Sequence, residues 1–143
     1  MDDIRIAAVC MHAPLGEVDK NLDRIGSLVN EAAGNGARMV CLPELSVTGY
    51  TLNRPADVFK ETAADKIMDR LVELARETRL VVIAGFIEIS DAKKPYITQV
   101  TAGPEGLIGL YRKTHLSPAE KDGYQDGQDV EVYHFGNTTF GIA

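Results

Sequence analysis

Two kinds of apolar spacing alternate in the first part of the chain, and that alternation restricts it to a few folds. Val18, Leu22, Ile25, Val29 and Ala32 recur at intervals of three and four, the period of a helix with one apolar face. Asp19, Lys20, Asp23 and Arg24 fall on its wet side, and Gly34 and Gly36 end it because glycine tolerates a left-handed turn. On either side lie residues 4–11 and 38–42, short apolar runs with the length and composition of buried strands.

The alternation then repeats. A second helix is expected from about residue 65 to 78, with Ile67, Leu71 and Leu74 on one face and Met68, Val72 and Ala75 beside them. Residues 80–89, 96–101 and 107–112 read as strands. The second of these follows a polar turn at 91–95, and the hairpin-type link Gly103-Pro104-Glu105-Gly106 leads to the third. Residues 117–129 have no period and read as a long loop, and 130–135 pairs with 138–143 across Gly136-Asn137. Strand, helix, strand, helix and then a run of strands predicts an α/β layered domain with a mixed sheet, parallel first and antiparallel later. The last apolar strand ends at residue 143, whereas domain ends normally fall in exposed linkers. The expectation is a truncated domain, or one completed by another polypeptide.

Composition narrows the function classes. A net charge of −6, with no basic cluster longer than Lys93-Lys94, gives no footprint for nucleic acid or anionic lipid. No apolar run has the length of a membrane span, and Met1-Asp2-Asp3-Ile4-Arg5 has acids where a signal peptide has bases, so a cytoplasmic protein is expected. Cys10 and Cys41 both sit in apolar runs and read as small core residues; two thiols make no disulfide framework and are too few for structural zinc. His12, His115 and His134 are scattered, which predicts no metal site. Phosphate-binding glycine loops and the Gly-x-Ser-x-Gly elbow are absent from the sequence.

Three positions can carry chemistry. Glu44 follows Cys41-Leu42-Pro43 at the end of an expected strand, where desolvation raises a carboxyl pKa toward the range a general base needs. The competing reading, which position alone favours, is a loop cap or an arginine partner. Lys113, in Tyr111-Arg112-Lys113-Thr114-His115-Leu116, also follows a strand, and an ammonium held there would stabilise an oxyanion; the competing reading is a solvated loop lysine. Glu120, behind Pro118, either holds that lysine or is an ordinary surface acid.

These residues also occur together in a known order. Val40-Cys41-Leu42-Pro43-Glu44-Leu45 with Thr48-Gly49-Tyr50 resembles the first motif of the nitrilase superfamily of carbon–nitrogen hydrolases, and Tyr111 to Leu116 resembles its second. The run from Ile4 to Cys10 and the helix containing Asn21 resemble its opening strand and helix, and Phe140-Gly141-Ile142-Ala143 resembles the strand before its third motif, which bears the cysteine nucleophile. The resemblance implies an α-β-β-α sandwich, incomplete in this chain, with helices on one face of a mixed sheet. It implies Glu44 as general base, Lys113 as the group that steadies the tetrahedral intermediate, Glu120 as the second glutamate and Tyr50 as a substrate contact. It implies no metal or organic cofactor, a small-molecule amide, carbamoyl or nitrile substrate, and a homo-oligomer or association with the missing half-domain. Residues 1–143 then form the N-terminal portion of the domain, ending before the cysteine motif, and the chain alone is expected to be inactive. The rival readings are a non-catalytic interaction module and an acyltransferase that passes the same thioester to another acceptor.

Overall fold

The computed structural model describes residues 3–59 and 64–143; Met1 and Asp2 lie outside the described residues. Five strands form one sheet in the order of the chain: β1 (Ile6–Ala8), β2 (Met39–Cys41), β3 (Val81–Glu88), β4 (Tyr96–Gly103) and β5 (Gly106–Arg112). β1, β2 and β3 run parallel, and β3, β4 and β5 antiparallel, which is the expected mixed sheet. The parallel connections are made by α1 (Val18–Gly34) and by a segment containing the short α2 (Pro55–Val58) and the long α3 (Ala64–Thr78). β6 (Val132–Phe135) and β7 (Thr138–Gly141) form a separate hairpin.

Alternation along the strands sorts the two faces of the sheet. Val82, Ala84, Phe86, Val100 and Ala102 meet Leu22, Ile25 and Val29 of α1 and Ile67, Leu71 and Ala75 of α3 in the main core. Burying the apolar stripes of both helices is the largest favourable contribution available to a chain of this kind. Met39, Val81 and Ile83 point the other way and pack with Ile108, Phe135 and Phe140, so the hairpin covers part of the second face.

One expectation is corrected. Residues 4–11 yield only a three-residue strand, and it is not buried: among the described residues β1 has a single strand neighbour, β2, and Ile6 is 53% exposed. An edge position leaves one side of a strand open, and the alternation inside this apolar run turns Cys10 outward, where it is exposed. A turn falls on residues 44–48, closed by the Gly49 N–H donating to Leu45 C=O at 2.8 Å. The short α2 lies in a stretch to which the sequence reading assigns no element; Pro55 at its start supplies the fixed φ of a first helical turn. Among the described residues no helix is long and apolar enough to cross a membrane.

Candidate active site

Glu44 stands where β2 stops. Pro43 has no N–H to continue the ladder, and the chain leaves the sheet plane there. The backbone beyond it is nevertheless tightly held. Val47 N–H donates to Gly85 C=O at 2.9 Å, and the Ile87 N–H donates to Thr48 Oγ1 at 3.1 Å, so hydroxyl oxygen replaces part of the missing ladder. From the helix side, buried Asn21 donates through Nδ2 to Pro14 C=O at 2.9 Å and to Val47 C=O at 3.0 Å. Gly49 has φ +77°, and a Cβ there would sit 2.7 Å from Leu15 Cα, so two backbones touch at this point. The turn bearing Glu44 is therefore pinned from the sheet, from α1 and from the segment before α1.

Lys113 is placed by the end of β5. Its N–H donates to Ile97 C=O at 2.9 Å, and its C=O accepts from Gly127 N–H at 2.8 Å. The preceding Arg112 points to the other side, where its guanidinium pairs with Glu88 and lies 4.4 Å from the centre of the Tyr96 ring. Glu88 also accepts from Thr98 Oγ1 at 2.6 Å. This lock leaves Lys113 free to reach across the sheet.

There it meets two acids. Lys113 Nζ donates to Glu44 Oε1 at 2.7 Å and Oε2 at 3.1 Å, and to Glu120 Oε1 at 3.1 Å. The Glu120 side chain is 5% exposed, and its other oxygen accepts from Ser117 N–H at 2.7 Å. The Glu44 side chain is 39% exposed, more open than a strand-end position suggests. Burial draws the Lys113 ammonium down, but hydrogen bonds and charge from Glu44 and Glu120 outweigh it and hold the group above its ordinary pKa. Burial works to raise Glu120 as well; the Ser117 N–H and Lys113 reverse that and hold it below the usual carboxylate range. Lys113 is thus a fixed cation between two acceptors.

Glu44 and Lys113 share the wall of a cavity of about 250 Å³ with Ile97, Gln99, Tyr111, Ile142 and Ala143. Tyr50 is outside that wall and 53% exposed, yet its phenol is raised first by burial and then by the Glu120 carboxylate, with Lys113 opposing. It stands at the rim of the acid–lysine cluster. Glu44, Lys113 and Glu120 are therefore brought together, with Tyr50 beside them, while Cys41 lies half-buried on β2 and Cys10 on the sheet edge. Burial raises the Cys41 thiol.

Sequence reasoning overlooked Gln99 and Gly85. A polar residue at an alternating inward position of a strong strand, and a glycine inside another, were the available signals. A strand glycine often marks close approach of a second backbone.

Residues 5–142 match the family model described as carbon-nitrogen hydrolase. The chain is 35% identical over 145 residues to a nitrilase of Pyrococcus abyssi, covering 97% of this chain and 54% of that protein. It is 34% identical to the omega-amidase NIT2 of Danio rerio, covering 96% of this chain and 50% of that one. Among solved structures, the amidase from Nesterenkonia sp. AN1 in complex with butyramide superposes with a TM-score of 0.83 at 24% identity, over 96% of this chain and 54% of that one. That likeness shows the fold. The chain spans about half the length of the curated relatives it matches. With a family match across nearly all its residues, this chain belongs to the carbon-nitrogen hydrolase family.

Proposed function

We propose that Glu44, Lys113 and Glu120 serve the hydrolysis of a small amide, carbamoyl compound or nitrile through a thioester on a cysteine. The observation that carries this reading is the Lys113 ammonium held between the Glu44 and Glu120 carboxylates at the wall of a cavity. Glu44, the more open of the two acids, takes the thiol proton as general base. The thiolate attacks the substrate carbon, and Lys113 faces the negative charge that develops on the substrate oxygen or nitrogen. From an amide or carbamoyl compound the proton held by Glu44 leaves with ammonia; from a nitrile it goes to the thioimidate nitrogen, and a first water adds to that carbon before ammonia departs and leaves the thioester. A water activated by Glu44 then cleaves the thioester and frees the acid. Glu120 keeps Lys113 in place, and Tyr50 contacts substrate at the rim.

The nucleophile in this reading is neither Cys10, which is exposed just beyond the edge strand, nor Cys41, which lies within β2. Ile142 and Ala143 line the cavity, so a thiol placed closely after Ala143 would reach both acid and ammonium. Residues 1–143 supply the acid and ammonium half of the site, and they are inactive alone. Exposed Leu107, Val130 and Val132 support association with further polypeptide, a second copy or the rest of the domain. Two unpaired thiols support a cytoplasmic setting.

Intact-mass analysis of the full-length protein during turnover of a slow amide tests the reading. An acyl adduct is expected on a thiol other than Cys10 and Cys41. A stoichiometric adduct on either of those two, with turnover, would overturn it.

A further inference from the structure

Gln99 is the polar wall residue for which the mechanism has no use. It lies in the middle of β4, on the face away from the helices, paired with Gly85 on β3 and Tyr111 on β5. Its side chain lines the same cavity as Glu44 and Lys113. Its Oε1 is buried and has no hydrogen-bond partner among the described residues. An unsatisfied buried amide oxygen is costly, and each instance calls for an explanation.

The surroundings of that oxygen suggest one. A Cβ built on Gly85 would lie 1.4 Å from the Glu44 carbonyl oxygen and 3.0 Å from Gln99 Oε1. Two acceptor oxygens therefore crowd the same point above Gly85, and no donor reaches the Glu44 carbonyl among the described residues. The two ends of a carboxamide have nearly the same shape, and their orientation follows the hydrogen bonds available. A half-turn about Cγ–Cδ would exchange the two ends of the carboxamide and bring an N–H, in place of an acceptor, to the side of the Glu44 carbonyl. It also turns the oxygen toward the cavity.

We propose that Gln99 is a specificity-determining residue: its nitrogen anchors the Glu44 backbone, and its oxygen accepts an N–H from a primary amide substrate. The inference rests on the hydrolase reading above and deepens it by naming the substrate class. A primary amide brings two N–H donors to that oxygen. A nitrile brings none, so that oxygen gains no hydrogen bond from it, and the difference between the two ligands is the value of that one bond. Ile97, Tyr111, Ile142 and Ala143 leave the rest of the wall largely apolar, suited to a short aliphatic acyl chain.

The test compares dissociation constants of butyramide and butyronitrile for the full-length protein, measured by NMR titration before turnover. Wild type is expected to favour the amide about tenfold, the value of one neutral hydrogen bond. Gln99→Met, matched in length but without the amide group, should bring the two constants to near equality, and Gln99→Leu provides a second replacement. General loosening of the site weakens both ligands together and leaves their ratio unchanged, so the ratio reports on the hydrogen bond itself. Both ligands binding with the same ratio in wild type and variants would overturn the assignment of Gln99 alone. Binding of neither ligand to wild type would overturn the hydrolase reading, and this inference with it.

Discussion

The Glu44 backbone rides directly on Gly85: a Cβ at residue 85 would lie 1.4 Å from the Glu44 carbonyl oxygen. No side chain fits between them, so one strand glycine fixes the height of the acid-bearing turn above the sheet. Gly85→Ala should push that turn away and destabilise the protein by about 1–3 kcal/mol, the usual range for overpacking. Gly26→Ala is the matched control. It lies in α1 with nothing within 4 Å of its Cβ position, and should stabilise by about 0.5–1 kcal/mol. Urea denaturation of both variants checks the pair.

Asn21 ties the same turn to α1. It is 1% exposed and satisfies two carbonyls through one nitrogen. Asn21→Ala should cost about 1–3 kcal/mol by leaving buried acceptors unpaired. Asn21→Asp should cost more, because it sets a carboxylate against the same two carbonyls. Denaturation midpoints at neutral pH separate the three proteins.

The acid–ammonium cluster has a defined pH window. Lys113 is held above its ordinary value of 10.5, so its contribution to stability is complete below that pH and is lost only as pH rises through the higher folded value. Glu120 is held below its ordinary 4.5, so its contribution is present above that pH and is lost as pH falls through the lower folded value. The Lys113–Glu120 pair therefore persists across the neutral range and opens in acid. Glu120→Gln should flatten the acid side of the stability profile relative to wild type, read from unfolding free energy against pH. An unchanged acid limb would contradict the assignment.

The order of strands and helices was legible because period-two and period-three-to-four patterns alternate cleanly. β2, α1, α3 and the β3–β4–β5 meander all follow from Met39 to Cys41, Val18 to Ala32, Ile67 to Ala75 and the run from Val81 to Arg112. The candidate site was legible as two strand ends, at Pro43-Glu44 and Arg112-Lys113, whose acid and ammonium meet in the structure. What escaped was tertiary. Residues 4–11 are apolar apart from Arg5, and only the sheet order reveals that Ile6 and Cys10 belong to an open edge. The role of Gly85 depends on a turn 41 positions earlier by sequence number passing over it, and no local pattern encodes that approach.

The two thiols should differ in reactivity. Cys10 is exposed, whereas Cys41 is only partly accessible and its thiol is raised by burial. A chromogenic disulfide reagent near neutral pH should modify Cys10 first, with Cys41 slower by about tenfold or more, since the thiolate is the reacting form. Equal rates would place Cys41 in a different environment. Cys10→Ser should leave the acid–lysine cluster untouched.

The most direct measurement is ammonia release from a simple aliphatic amide by the full-length protein, compared among wild type, Glu44→Gln and Lys113→Ala. Loss of at least about a hundredfold in rate for each variant, with the fold intact by circular dichroism, is the predicted result. Undiminished release from either folded variant would contradict a catalytic acid–ammonium pair at this cavity.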